Sequence, residues 1–209
     1  GPVTTQSGGV VGAWLVTGSR NAGSYRVWLC TSPVCPVACC ALQNRMIAFL
    51  SDIHSNVEAL TACLAEVDRL QVRRLICLGD IIGYGPQPRE TLKTIMERAE
   101  FSLLGNHEHG AMFYASDFNP RARAAIDWTC DQLSRRDCPR EENMKFWNYL
   151  DGMKQEHREG KMLFVHGSPR DPVREYLVPR DATDRQKMDE CFAKMGDAKL
   201  CFVGHSHVP

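Results

Sequence analysis

Five short apolar runs in this chain each end in side chains that can hold a cation: "FLSDIH", "CLGD", "LLGNHE", "FVHG" and "FVGHSH". Together they deliver Asp52, His54, Asp80, Asn106, His107, His166, His205 and His207. Runs such as "MIAFL" (46–50), "RLICL" (74–78) and "FSLL" (101–104) mark strands buried on both faces, as in sheets covered by helices. Helical patterns separate them. From Asn56, the residues Val57, Leu60, Leu64, Val67 and Leu70 recur at helical spacing, with Ser55 placed to cap the start. A second helix is expected from about Arg89 to Arg98.

The later chain continues the theme. Residues 120–134 read as a helix with Ala124, Ala125, Trp128 and Leu133 on one side, and 141–150 read similarly. "KQEHREGKMLFVHG" reads as a β-hairpin turning at Glu159-Gly160. A further helix at about 182–195 leads into "LCFVGHSH". Strands alternating with helices predict an α/β layered fold, a β-sheet core flanked by helices, with ligands gathered beyond the carboxyl ends of the strands.

That rule makes the strand ends informative. The chain has seven histidines, and five of them stand at these strand ends. Histidines placed for packing or solvation would fall on helix faces and loops, as His157 does. Neutral imidazoles and carboxylates are the ligands of divalent Zn, Mn, Fe and related ions. The D-x-H and H-x-H spacings predict side chains on one side of an extended backbone, because strand side chains repeat every two residues. Seven oxygen and nitrogen ligands exceed one closed tetrahedral site. They suit two ions sharing a carboxylate, an arrangement that can activate a water and clamp a phosphate for in-line attack.

In order, D-x-H, G-D, G-N-H-E, H and G-H-x-H resemble the calcineurin-like metallophosphoesterases, from about Met46 to Pro209. The phrases "CLGDIIGYGP", "VHGSPRDPVREYLVP" and "FVGHSHVP" are similar to the bacterial phosphatase-like branch of that superfamily. The resemblance implies a metallophosphoesterase-like αββα sandwich, truncated at the C-terminus because related chains continue past G-H-x-H with further strands. It implies that Asp52, His54 and His207 bind one metal, that Asn106, His166 and His205 bind a second, and that Asp80 bridges them. His107 matches the histidine that assists the leaving group. Glu108 is expected at a helix start or behind the ligands, and His109 is expected to line the substrate pocket. The metals implied are two divalent ions of Mn, Fe, Zn, Ni or Co, manganese among them, with the sequence not choosing between them.

One departure bears on substrate. Eukaryotic-type protein phosphatases of the superfamily carry an Asp-Arg pair after G-D, where this chain has Gly83-Tyr84. Arg170, in "GSPRDP", is the candidate substitute anion contact, against its reading as a solvated loop arginine. The leading function is hydrolysis of phosphate mono- or diesters. Within that class, a serine/threonine-type phosphoprotein phosphatase or a nucleotide phosphohydrolase competes with it. From another class, a non-catalytic metal-binding scaffold for protein interaction would be expected to have lost ligands or the G-N-H histidine, and none is missing.

Composition narrows the partners. Lys+Arg and Asp+Glu both number 25, so no strongly basic face offers itself to long nucleic acid or an anionic membrane. No apolar run approaches the roughly 18 residues of a membrane span. A small phosphorylated substrate is the expected partner. Residues 1–45 stand apart: they contain Arg20, Arg26 and Arg45, no acid, and four cysteines in "CTSPVCPVACC". They read as a non-native or mispredicted leader of doubtful structure before a domain spanning 46–209. An organelle transit peptide and a four-cysteine knot are the competing readings. After Met46 the cysteines are scattered singly, as in a reducing, cytoplasmic compartment.

Overall fold

A computed structural model describes residues 46–115 and 118–208, together with the backbone of Ala13–Val16. One sheet is parallel throughout, in the order β1 (Ala13–Val16), β2 (Ile47–Leu50), β3 (Arg74–Cys77), β4 (Phe101–Ser102). Ile47 pairs with Arg74 and Leu50 with Cys77, so β2 and β3 end level with one another. The second sheet runs β5 (Glu156–Glu159), β6 (Met162–Val165), β7 (Leu200–Phe202). Here β5 and β6 form the expected antiparallel hairpin, while β6 and β7 are parallel. Of the segment read as a leader, the four residues of β1 alone are described. The choice among its three readings lies outside the described residues.

The strand alternation builds three layers of core. Phe49, Ile76, Leu103 and Phe164, on alternate positions of their runs, meet between the two sheets, where Phe49 stacks on Phe202 at 4.4 Å between ring centroids. Their neighbours Ala48, Leu50, Leu75 and Cys77 face the other way. That face is covered by α1 (Val57–Arg69), α2 (Pro88–Arg98), α4 (Pro120–Leu133) and α5 (Arg140–Asp151), through residues such as Leu60, Leu92, Leu133 and Phe146. On the far side of the second sheet, Leu163 and Val165 pack on Met195 of α6 (Arg185–Met195). Helices, sheet, sheet and helix therefore stack as an αββα sandwich. Burial of each strand on both faces explains the continuous apolar runs. Among the described residues, no helix is long and apolar enough to cross a membrane.

Two local expectations need correction. Asn56, not Ser55, caps α1, its side-chain oxygen accepting from the Ala59 N–H at 3.0 Å. Ser55 is buried with positive φ, in the loop leading out of β2. The inward face of α4 is Ala122, Ile126, Thr129 and Leu133, while Trp128 is exposed. The pattern of large apolar side chains misled, because Thr129 hides its hydroxyl by donating to the Ala125 carbonyl at 2.8 Å and so packs as an apolar residue. The short α3 (Asn106–Met112) begins at the third ligand motif, and its seven residues are too few to show helical periodicity.

Candidate metal centre

The predicted ligands meet where the strands end, but through turns, not extended backbone. Asp52, His54, Asp80, His205 and His207 all have φ between 51° and 63°. This corrects the alternation argument for D-x-H and H-x-H: left-handed turns aim these side chains. Non-glycine residues in that region are uncommon and cost roughly 1–3 kcal/mol each, a strain that proteins concentrate at functional sites. Here backbone bonds hold the turns. Asp52, His54 and Ser55 donate to the carbonyls of Gly79, Asp80 and Ile81 at 3.0, 2.9 and 2.8 Å, continuing the β2–β3 ladder into the loops. Gly204 donates to the His166 carbonyl at 2.9 Å, and the His205 N–H donates to Asp52 Oδ2 at 3.0 Å.

Two clusters share one carboxylate. In the first, His207 Nε2 lies 3.1 Å from Asp52 Oδ1 and 3.3 Å from His54 Nε2. In the second, His166 Nε2 lies 3.1 Å from Asn106 Oδ1 and 3.2 Å from His205 Nδ1. Asp80 Oδ2 sits between them, 3.7 Å from His54 Nε2 and 3.5 Å from His166 Nε2. Three histidines are oriented from behind by backbone carbonyls. His54 Nδ1 contacts Ile82 O at 3.2 Å, His166 Nδ1 contacts Leu78 O at 3.0 Å, and His205 Nε2 contacts Arg174 O at 3.0 Å. Each commits one ring nitrogen to donation and turns the other into the cluster, where it is an acceptor in the neutral ring, which is how metal-ligating histidines are held.

The donor chemistry fits divalent cations. Buried Asp52 Oδ1 has no hydrogen-bond donor among the described residues, although the His207 nitrogen is close. Burial lowers the pKa of His54, and brings those of His107 and His205 down to about 4, so these imidazoles are neutral electron-pair donors at neutral pH. Burial opposes charge on Asp80 too, but His166, His107 and His54 hold it well below the usual carboxylate range. Burial likewise opposes charge on His166, and Asp80 overrides it, lifting the imidazole to about 9.

Two glycines exist for close approach. A Cβ on Gly105 would stand 2.2 Å from Asp80 Oδ1, and one on Gly83 would stand 2.1 Å from His107 Nδ1. Glu108 braces the same loops from below: its Oε2 accepts from the N–H groups of Asp80 at 2.8 Å and Gly105 at 3.0 Å, and its Oε1 from Ile82 at 3.0 Å. It thus fills both roles anticipated for it. Glu108→Ala would strand three buried donors, each worth roughly 1–3 kcal/mol. The expected outcome is a loss of roughly 3 kcal/mol in urea unfolding of metal-free protein, and an unchanged midpoint would refute the brace.

The substrate residues proposed from sequence fare differently. Arg170 is bound to Glu175 and Glu190 and is not among the residues that line the cleft, the geometry of its alternative reading as a loop arginine. His109 is likewise not among the lining residues; its Nδ1 meets Arg174 Nη2 at 3.3 Å. The cleft, about 270 Å³, is lined instead by Tyr84, Phe118, Asn119, Ala122, Arg174 and Tyr176 alongside His54, Asp80, Asn106, His107, His205 and His207. His107 is buried beside His54, Tyr84 and Phe118.

Comparison with known proteins agrees with this geometry. The calcineurin-like phosphoesterase family matches residues 45–209. The chain belongs to that family. It is 39% identical over 172 residues to the uncharacterised protein MJ0912 of Methanocaldococcus jannaschii, covering 80% of this chain and 65% of that relative. The crystal structure of a metallophosphoesterase from Sphaerobacter thermophilus is similar with a TM-score of 0.60 and 36% identity, over 77% of this chain and 60% of that one. The chain therefore spans somewhat under two thirds of the length of either relative.

Proposed function

We propose that this protein hydrolyses phosphate esters of small molecules, mono- or diesters, using two divalent cations. Asp52, His54 and His207 would hold one, Asn106, His166 and His205 the other, with Asp80 shared. The observation that carries this reading is the placement of Asp80 Oδ2 between His54 and His166, 3.7 and 3.5 Å away. Bound there, the ions would supply Lewis-acid polarisation of the phosphoryl group and an activated water. The chain's own residues do the rest. Asp80 offsets positive charge at the centre of the site. Backbone carbonyls behind His54, His166 and His205 keep their nitrogens aimed. His107, at the cleft wall, would serve the leaving group; burial alone leaves its ring neutral, so it would take up its proton when the negative charge of the phosphate stands beside it.

A cleft of about 270 Å³ supports a small phosphorylated substrate over a folded phosphoprotein. The described cysteines are all unpaired, with Cys63, Cys77 and Cys191 buried, which supports a reducing, cytoplasmic setting. The test is to strip the protein with a chelator, reload it with Mn, Fe, Zn, Ni or Co, and assay p-nitrophenyl phosphate, its bis-ester, nucleotides and a phosphopeptide. Activity should vanish on stripping and return with metal, highest on a small ester, and the five reloaded forms then rank the metals, manganese included. Stoichiometric metal uptake without turnover of any substrate would instead establish the scaffold reading.

A further inference from the structure

We propose that Arg174 is the residue that grips the substrate's phosphoryl oxygens, doing from the loop after β6 what the Asp-Arg pair absent after Gly79-Asp80 would otherwise do. The inference rests on the phosphoesterase reading and adds a specificity residue to it. Three observations support it. Among the described residues that line the cleft, Arg174 is the sole lysine or arginine, and it stands there with Asp80, Asn106 and His205. Its backbone is rooted in the metal centre, because its carbonyl contacts His205 Nε2 at 3.0 Å. Its guanidinium meets His109 at 3.3 Å, on the same short helix that carries Asn106 and His107.

The loop is built to hold that position. Asp171 Oδ1 accepts from the N–H groups of Val173 and Arg174 at 3.1 and 3.0 Å. Gly167 donates to the Pro172 carbonyl at 2.6 Å and Ser168 to the Asp171 carbonyl at 2.9 Å. Arg170, tied to Glu175 and Glu190, staples the same segment from outside. So the two arginines divide the work: Arg170 shapes the loop, and Arg174 is the arginine of that loop that lines the cleft. The transferred phosphoryl group spreads its charge over three equatorial oxygens, which have to be matched by fixed positive groups. A planar guanidinium fork can donate to two such oxygens at once, which an ammonium cannot.

The test compares wild type, Arg174→Met and Arg174→Lys, all loaded with manganese. Metal content, melting temperature, the affinity for inorganic phosphate by calorimetry, and kcat and KM on p-nitrophenyl phosphate are measured. Methionine keeps the stem and the backbone carbonyl, so metal content and melting temperature should hold. Phosphate affinity should fall about 10–100-fold, the range for a lost charged hydrogen bond, with lysine recovering part of it. Phosphate binding that is equal in wild type and Arg174→Met, or absent in both, overturns the proposal. Loss of metal from both variants does so too, since Arg174 would then be positioning His205. Arg174-dependent phosphate binding without hydrolysis of any ester would leave the proposal standing and remove the hydrolase reading. Hydrolysis with phosphate binding indifferent to Arg174 would do the reverse.

Discussion

Asp80→Asn is expected to lower bound metal and turnover together, with activity down roughly 10³-fold, the scale of several kcal/mol of lost charge stabilisation. The replacement keeps the shape of the side chain and leaves an oxygen that can accept from the His107 N–H, which Asp80 Oδ1 now does at 3.0 Å. What it removes is the negative charge that stands between His54 and His166. Asp52 would then be the one carboxylate left among the seven proposed ligands. Metal content by elemental analysis and kcat/KM on one ester decide the matter. Full occupancy with near-normal turnover would sink the shared-carboxylate assignment.

His107→Ala should fail in a different way, keeping both ions and losing 10²–10⁴-fold in rate, the usual worth of a positioned proton donor or charge stabiliser. The ring is nearly fully buried, at 3% exposure, and its backbone is latched to Asp80. Its Nδ1 has no hydrogen-bond partner among the described residues and lies where a side chain on residue 83 would be. Glycine there leaves no acid behind the imidazole, so aromatic neighbours, Tyr84 at 4.5 Å and Phe118 at 5.1 Å between ring centroids, hold its orientation. The drop should be larger for an alkyl phosphate, whose alkoxide needs a proton, than for p-nitrophenyl phosphate, whose phenolate leaves unaided. Loss of metal from the variant would make His107 a ligand instead, since its ring groups with His54 and Asp80 within 4.8 Å. Equal slowing of both substrates would remove the leaving-group role.

What the sequence by itself determined is where the strands end and which donors stand there. Both are local properties: a run such as Phe49-Leu50 or Phe164-Val165 is apolar because its strand is covered on both faces, and the next polar residues have to lie beyond the sheet. The donor set of Asp52, His54, Asp80, Asn106, His166, His205 and His207 was legible for that reason. How those donors converge was not. The left-handed turns at Asp52, Asp80 and His205 are imposed by backbone bonds to neighbouring loops and leave no trace in residue type. The same is true of Glu108, whose partners Asp80 and Ile82 lie 28 and 26 residues away. It decided the two arginines as well. Arg170 and Arg174 are both basic residues in one loop, and only the fold ties Arg170 to Glu190 on α6 and leaves Arg174 lining the cleft. Hydrophobic burial is written along the chain, whereas the pairing of charges across it depends on which segments the sandwich brings side by side.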